Sequence, residues 1–372
     1  MPDMSVLMVC RNTRGGMKQH ILSLAKGLAE NGMDVTIAGP RLDTPVSPPF
    51  KTVTLPIPEN PLTPAGVYSL NKLTDLIKKN KYGIVHTHGY VAGIIGRIAA
   101  ARAGNALMVH SVHNFFPVFS PITLYGIKGI EVWLSRYTAR IIAVSEHLRK
   151  DLVKIGIPAE KISTIYNGVD PTMFNPADRQ YVRESLGFPP YSFVIGTVAR
   201  LIPAKGVDLF IEALALVKKN NPSIKGVIVG DGPEALKLQT LARSLGIAGG
   251  IRFLGYRNDV PKLLSAFDLF VLSSRQEGFG ISVLEAQYSG LPVIASAAGG
   301  IPEIVRHGVD GLLFPAGDYS ALADRISFLL EKPDYRHTLA LEGKRKVKES
   351  YTSDRMIQST LQLYSGLNKL RH

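Results

Sequence analysis

Short unbroken apolar runs alternate with helix-period segments along the whole chain of 372 residues, and the alternation starts twice. Val6 to Cys10 is a continuous apolar run, the pattern of a strand covered on both faces. Gly15-Gly16 follows in a polar loop; Met17, Ile21, Leu24, Ala25 and Leu28 then recur at helical spacing until Asn31-Gly32 supplies a stop. Val35 to Ala38 reads as the next strand, completing a βαβ unit with a parallel sheet. Strands at Gly83 to His86, Ala106 to Val112 and Ile141 to Val144 continue the series, with helices at Val67 to Lys79, Ala92 to Ala103 and Ile127 to Ala139. Pro40 to Pro64 holds eight prolines and reads as an irregular loop.

Asn167 to Pro171 is turn-rich and reads as a linker, after which the rhythm restarts. The expected strands are Phe193 to Ala199, Gly226 to Val229, Ile251 to Leu254, Leu269 to Leu272, Pro292 to Ala295 and Leu312 to Phe314. The expected helices include Val207 to Asn220, Ala235 to Leu245, Ile281 to Tyr288 and Tyr319 to Leu330. Two doubly wound α/β domains, 1–168 and 169–354, follow from this pattern. They also fit a length beyond which one hydrophobic core stops growing.

Composition removes several classes. A chain with 45% hydrophobic and 20% charged residues is globular. The single Cys10 rules out a disulfide framework or a multi-cysteine metal site, and no apolar run is long enough for a signal segment or a membrane span. A cytoplasmic protein is expected. The net charge of +13 is uneven: residues 1–170 carry 19 Lys and Arg against 11 Asp and Glu, a balance of +8. Such an excess suits an anionic membrane surface, a phosphorylated acceptor or nucleic acid, and equally a solvated basic face.

The residues with most chemistry lie in the second half. Glu277-Gly278-Phe279-Gly280-Ile281-Ser282-Val283-Leu284-Glu285 sets two carboxylates eight positions apart around a glycine turn that opens a helix. Amides near Gly280, Ile281, Ser282 and Val283 at that N-terminus suit a diphosphate, since unpaired N–H groups and the positive dipole end converge there. Glu285 is placed for a ribose diol and Glu277 for hydroxyls of a second sugar, because carboxylates offer only acceptors. Arg200 and Lys205 follow a strand's carboxyl end, where open α/β sheets bind ligands, and two fixed cations there offset an anionic leaving group. The alternative for each alone is a capped helix or a solvated cation. Gly230-Asp231-Gly232 lacks the third glycine of a dinucleotide fingerprint and reads as a strand-end turn.

Glu277 to Glu285 resembles the E-x7-E motif of retaining glycosyltransferase family 4, which has the GT-B fold. Arg200, Lys205-Gly206, Val229 to Glu234 and Gly299 to Glu303 are similar to further signatures of that family, as are Gly15-Gly16, His86-Thr87-His88, Val112-His113 and Asn167 to Asp170. The resemblance implies two Rossmann-like domains facing across a cleft, with a terminal helix, about 355–372, returning to the first. It implies a nucleoside-diphosphate-sugar donor and an acceptor that is a sugar, a lipid-linked species or a small molecule. Arg200 and Lys205 would contact the diphosphate, Glu285 the ribose and Glu277 the sugar. Gly16 beside Gly15 would let the first-domain loop approach the donor, Gly230 would lie in the donor site with Phe279, and His113 would hydrogen-bond the sugar. Configuration would be retained by front-face departure and attack without an enzyme nucleophile.

No metal is expected, because the chain has no Asp-x-Asp triplet and His86, His88, His110 and His113 have no acidic partner nearby in sequence. The alternatives are a nucleotide-sugar 2-epimerase of the same fold, or a non-catalytic basic protein that binds nucleic acid. Phe115, Phe116 and Phe119 lie among prolines without interleaved cations, which argues against a nucleic-acid stacking groove. They could instead line an acceptor's lipid, touch an anionic membrane or cap the first core.

Overall fold

In a computed structural model, residues 5–11, 15–40, 49–104, 106–114, 121–174, 179–189 and 191–369 are described. The chain divides into two units, Met1–Asn167 with Ser353–His372, and Gly168–Thr352. Phe115, Phe116 and Phe119 lie outside the described residues.

The first unit is built on seven strands: β1 (Ser5–Cys10), β2 (Asp34–Gly39), β3 (Lys51–Thr54), β4 (Ile84–His88), β5 (Leu107–Val112), β6 (Arg140–Ala143) and β7 (Ile162–Thr164). All pair in parallel, in the order β3-β2-β1-β4-β5-β6-β7. The apolar run of β1 is consumed on both faces. Val6, Met8 and Cys10 join the core under the helices Gly16–Glu30 and Ser353–Lys369, while Leu7 and Val9 face the helices Pro64–Asn80 and Tyr90–Ala103. The terminal helix therefore starts at Ser353 and belongs to the first unit. Gly27 makes its docking possible: a β-carbon there would lie 2.1 Å from Ile357 Cδ1.

The second unit has β8 (Val194–Val198), β9 (Lys225–Val229), β10 (Ile251–Phe253), β11 (Leu269–Leu272), β12 (Val293–Ser296) and β13 (Leu312–Phe314). They form a parallel sheet in the order β10-β9-β8-β11-β12-β13. Its core gathers Ile195, Phe210, Leu214, Ile228, Leu269, Ile294 and Ile326, all at most 1% exposed. In both sheets the order reverses beside the first strand, between β1 and β4 and between β8 and β11. These switch points are where doubly wound sheets open a crevice at their carboxyl ends.

The structure corrects the reading of the sequence in several places. β3 lies inside the proline-rich segment expected to be irregular, and β7 was not foreseen. Both are sheet edges, and the exposed, polar Lys51–Thr54 has no apolar run to betray it. Helices at Glu146–Lys154, Arg179–Ser185 and Pro333–Ser350 were also missed. The last buries only a narrow stripe, Leu339, Ala340, Gly343 and Val347, and is tied down by polar bonds. Lys346 Nζ lies 2.7 Å from Asp310 Oδ1, and the Tyr335 hydroxyl donates to the Gly308 carbonyl at 2.9 Å. The helix expected at Ile127 to Ala139 runs instead over Pro121–Ser135.

Candidate functional site

Three loops leave the adjacent carboxyl ends of β8, β9 and β11 in the second unit and lock together. Leu201 N donates to the Asp231 carbonyl at 3.0 Å, and Glu234 N to the Leu201 carbonyl at 3.0 Å. Gly230 is what lets these loops meet: its φ is +139°, and a β-carbon would lie 1.8 Å from the Ala199 oxygen. Gly230 thus shapes the turn that carries Arg200. On the other side the Ala204 carbonyl accepts from Arg275 N at 2.8 Å and Gln276 N at 3.1 Å. A two-pronged Arg275–Asp208 pair, 2.7 Å at each contact, braces the same loop.

This framework brings Lys205 onto Glu277, Nζ to Oε2 at 2.6 Å, where the Ser274 hydroxyl also donates at 3.1 Å. Glu277 is 7% exposed. The sequence reading gave the two residues separate ligand groups, whereas here they form one ion pair. Arg200 is exposed, and no ion pair or side-chain hydrogen bond engages it among the described residues.

Gly280 then turns the chain into the helix Ile281–Tyr288 with φ +100°; a β-carbon on it would lie 2.5 Å from Ile301 Cδ1. The N–H groups of Gly280, Ile281 and Ser282 have no partner among the described residues, whereas Val283 N donates to the Gly280 carbonyl at 3.0 Å. The free amides are therefore fewer than the motif suggested, and they exclude Val283, whose side chain is core. Phe279 is also buried, with its ring against Tyr351. Glu285 keeps some accessible surface, but burial of its carboxyl pushes its pKa up to about 7.

The first unit holds a second group at its own switch point. Gly15, at φ +67°, caps the helix Gly16–Glu30, and no atom would crowd a β-carbon there. That helix carries His20 onto β4 and β5, where His86, His88, His110 and His113 are also buried. His88 Nδ1 lies 3.3 Å from His113 Nε2, and the His20 ring meets His113 edge-on with centroids 4.7 Å apart. His86 is bonded at both nitrogens, Nδ1 to the Tyr364 hydroxyl at 2.5 Å and Nε2 to Ser111 Oγ at 2.8 Å. His110 Nδ1 is held by Thr87 Oγ1 at 2.8 Å. His20 faces the Asn167 side chain in a loose contact that leaves both His20 nitrogens and Asn167 Oδ1 without a hydrogen bond of normal geometry among the described residues.

Loss of water holds all five rings neutral at ordinary pH. His20 is lowered to about 4 and His86 to about 3, and His88, His110 and His113 lie well below the usual range. Nitrogens of His20, His88 and His113 lie within 4.8 Å of one another. The sequence reading considered His86 with His88 and passed over His20 and Tyr364. His20 falls in the Met17–Ile21–Leu24 stripe, and a polar residue on that buried face was the available signal.

Residues 14–173 match the family model described as Glycosyltransferase Family 4, and residues 178–346 the one described as Glycosyl transferases group 1. The chain is similar to EpsD of Bacillus subtilis (strain 168), named as a glycosyltransferase, with 33% identity over 325 residues, 84% of either chain. It is 37% identical over 268 residues, 69% of each chain, to an Escherichia coli enzyme. That enzyme is named UDP-Gal:alpha-D-GlcNAc-diphosphoundecaprenol alpha-1,3-galactosyltransferase. Among solved structures, Anabaena HepE in complex with UDP-glucose superposes with a TM-score of 0.85 at 26% identity, covering 98% of this chain and 100% of that one.

Proposed function

The chain belongs to glycosyltransferase family 4, has the GT-B fold and moves a sugar from a nucleotide sugar to an acceptor. From that premise we propose a retaining transfer from a UDP-sugar to a lipid-diphosphate-linked saccharide, without a divalent metal. The observation that carries the donor half is the juxtaposed Lys205–Glu277 pair, beside a helix start whose Gly280, Ile281 and Ser282 amides are unengaged.

The chemistry follows from these groups. As the bond from the anomeric carbon to the diphosphate oxygen breaks, charge builds on the leaving oxygens. Lys205, Arg200 and the helix N–H groups stabilise that charge from fixed positions. Glu277, held by Lys205 and Ser274, accepts from sugar hydroxyls and fixes the ring; Glu285 accepts from the ribose diol. The acceptor oxygen attacks the same face, its proton passes to the departing phosphate, and configuration is retained. His113 donates to a sugar hydroxyl. Lys205→Ala should lower kcat by about 100- to 1000-fold, the cost of losing one fixed group at developing charge. Turnover that vanishes with chelator and returns with magnesium or manganese would contradict the metal-free reading.

For the acceptor half, the support is a surface of the first unit. Ile130, Trp133 and Tyr137 are 40%, 48% and 51% exposed, and the Trp133 and Tyr137 rings touch. Trp133 lines a shallow depression of about 530 Å³ together with Lys128, Arg136 and Lys154. An exposed tryptophan ringed by cations suits an anionic headgroup layer. No helix among the described residues is long and apolar enough to cross a membrane, so contact would be peripheral. Flotation with phosphatidylglycerol vesicles at low salt should recover the protein and Trp133→Ser should weaken recovery; equal recovery by neutral vesicles would remove this part.

A further inference from the structure

The buried histidines of the first unit form a connected series whose inner members the transfer chemistry above does not use. Tyr364 on the terminal helix bonds His86, the His86 and His88 rings lie with centroids 4.1 Å apart, and His88 reaches His113. β4 and β5 fix this order, because His88 is paired in register with Ser111. Ser111 Oγ holds the far side of His86, and the His88 ring is nearly parallel to that of His113, at 23°.

A neutral imidazole has one N–H and one bare nitrogen, so the single contact between His88 and His113 admits two arrangements. In the first, His113 Nε2–H donates to His88 Nδ1. The proton of His88 then sits on Nε2, which is buried and has no protein partner. In the second, His88 Nδ1–H donates to His113 Nε2, and the unpartnered Nε2 of His88 is a bare lone pair. A buried N–H without an acceptor is the rarer and costlier defect, so the second arrangement is favoured. It leaves His113 with its proton on Nδ1. Among the described residues no group bonds that atom, and it is not one of the buried unpartnered nitrogens.

We propose that His88 is a positioning residue that, by donating Nδ1–H to His113 Nε2, holds the His113 ring with Nδ1–H turned outward as the donor to the sugar. The inference rests on the reading that His113 touches the donor sugar. His86, clamped by Tyr364 and Ser111, supplies the wall that keeps the His88 ring in place.

Nitrogen-detected NMR of histidine-labelled protein tests this, together with steady-state kinetics on two variants. In the wild type, His113 should show its proton on Nδ1. His88→Asn places an amide N–H where Nδ1–H was; it should keep that signature and hold kcat within a few-fold. His88→Leu, which removes the donor, should give a mixture of His113 tautomers and lower kcat by about ten- to a hundred-fold, the scale for losing an orienting hydrogen bond behind a working group. Donor KM should stay within about three-fold, because the sugar contact matters most at the transition state. A wild-type His113 protonated on Nε2 overturns the proposal, as does a His88→Leu variant with unchanged spectrum and full kcat. His113→Ala separates the two layers: if it turns over normally, the sugar-contact reading has failed, while the wild-type spectrum still decides the tautomer.

Discussion

Acidification should unfold the first unit long before its carboxylates are protonated, and the size of the effect follows from the histidine cluster. His20 and His86 titrate at about 4 and about 3 in the folded chain, against 6.5 when unfolded. Between these values the unfolded chain binds the extra proton, so stability rises with pH up to about 6.5 and is lost as pH falls below it. For a histidine that stays neutral when folded, the loss between pH 7 and pH 5 is about 2 kcal/mol. His20 and His86 together account for about 4 kcal/mol, and His88, His110 and His113 are shifted the same way and add to it. That is a large share of the roughly 5–15 kcal/mol by which domains are stable. The only tryptophan, Trp133, lies in this unit and reports on it alone. Its fluorescence in urea melts should show a midpoint lower by about 2 M or more at pH 5 than at pH 7, for a slope of about 2 kcal/mol per molar. His20→Leu should shrink the drop by about 2 kcal/mol, the share of one histidine. A midpoint that is the same at both pH values, or higher at pH 5, would refute the burial argument.

Other consequences are separately measurable. Arg97 and Glu131 pair at 2.6 Å with both side chains at most 1% exposed, so Arg97→Met strands a buried charge. It should cost about 3–5 kcal/mol in urea melts, while Arg97→Met with Glu131→Leu should recover most of that. Tyr364→Phe removes the hydroxyl that partners His86 and should cost about 1–3 kcal/mol without altering donor KM. Burial pushes the Cys10 thiol up to about 12, so a thiol reagent at pH 8 should react only after denaturant is added. Because burial raises Glu285 to about 7, a ribose diol that prefers the carboxylate should expel a proton. The heat of UDP binding near pH 7 should then vary with buffer ionisation enthalpy, and Glu285→Gln should abolish that dependence.

The alternating architecture was legible because several central strands are apolar on both faces: β1, β9, β11 and β12 announce themselves as apolar runs. Edge strands and polar helices have no such signature. Lys51–Thr54 is held by its neighbour β2 alone, and Pro333–Ser350 is bonded through Lys346 to Asp310 and through Tyr335 to Gly308, residues far apart in sequence. The motif around Glu277 located the right loop and helix start. It could not reveal that Lys205 already occupies Glu277, nor that the Gly280 carbonyl engages Val283 N–H, because both depend on backbone turns set by Gly206 and Gly280. His20 and Tyr364 escaped for the opposite reason, as each looks like an ordinary member of an amphipathic helix until the sheet places His86, His88 and His113 beneath it.

The central claim is metal-free transfer of a sugar from a nucleotide donor at the Arg200–Lys205–Glu277 site. The direct measurement is mass spectrometry of a polyprenyl-diphosphate-linked N-acetylglucosamine after incubation with UDP-hexoses in excess chelator. The account predicts acceptor heavier by one hexose, with the donor's anomeric configuration kept in the product's proton coupling, and loss of that product in Lys205→Ala and Glu277→Ala. Product of inverted configuration, or undiminished product from both variants, would contradict it.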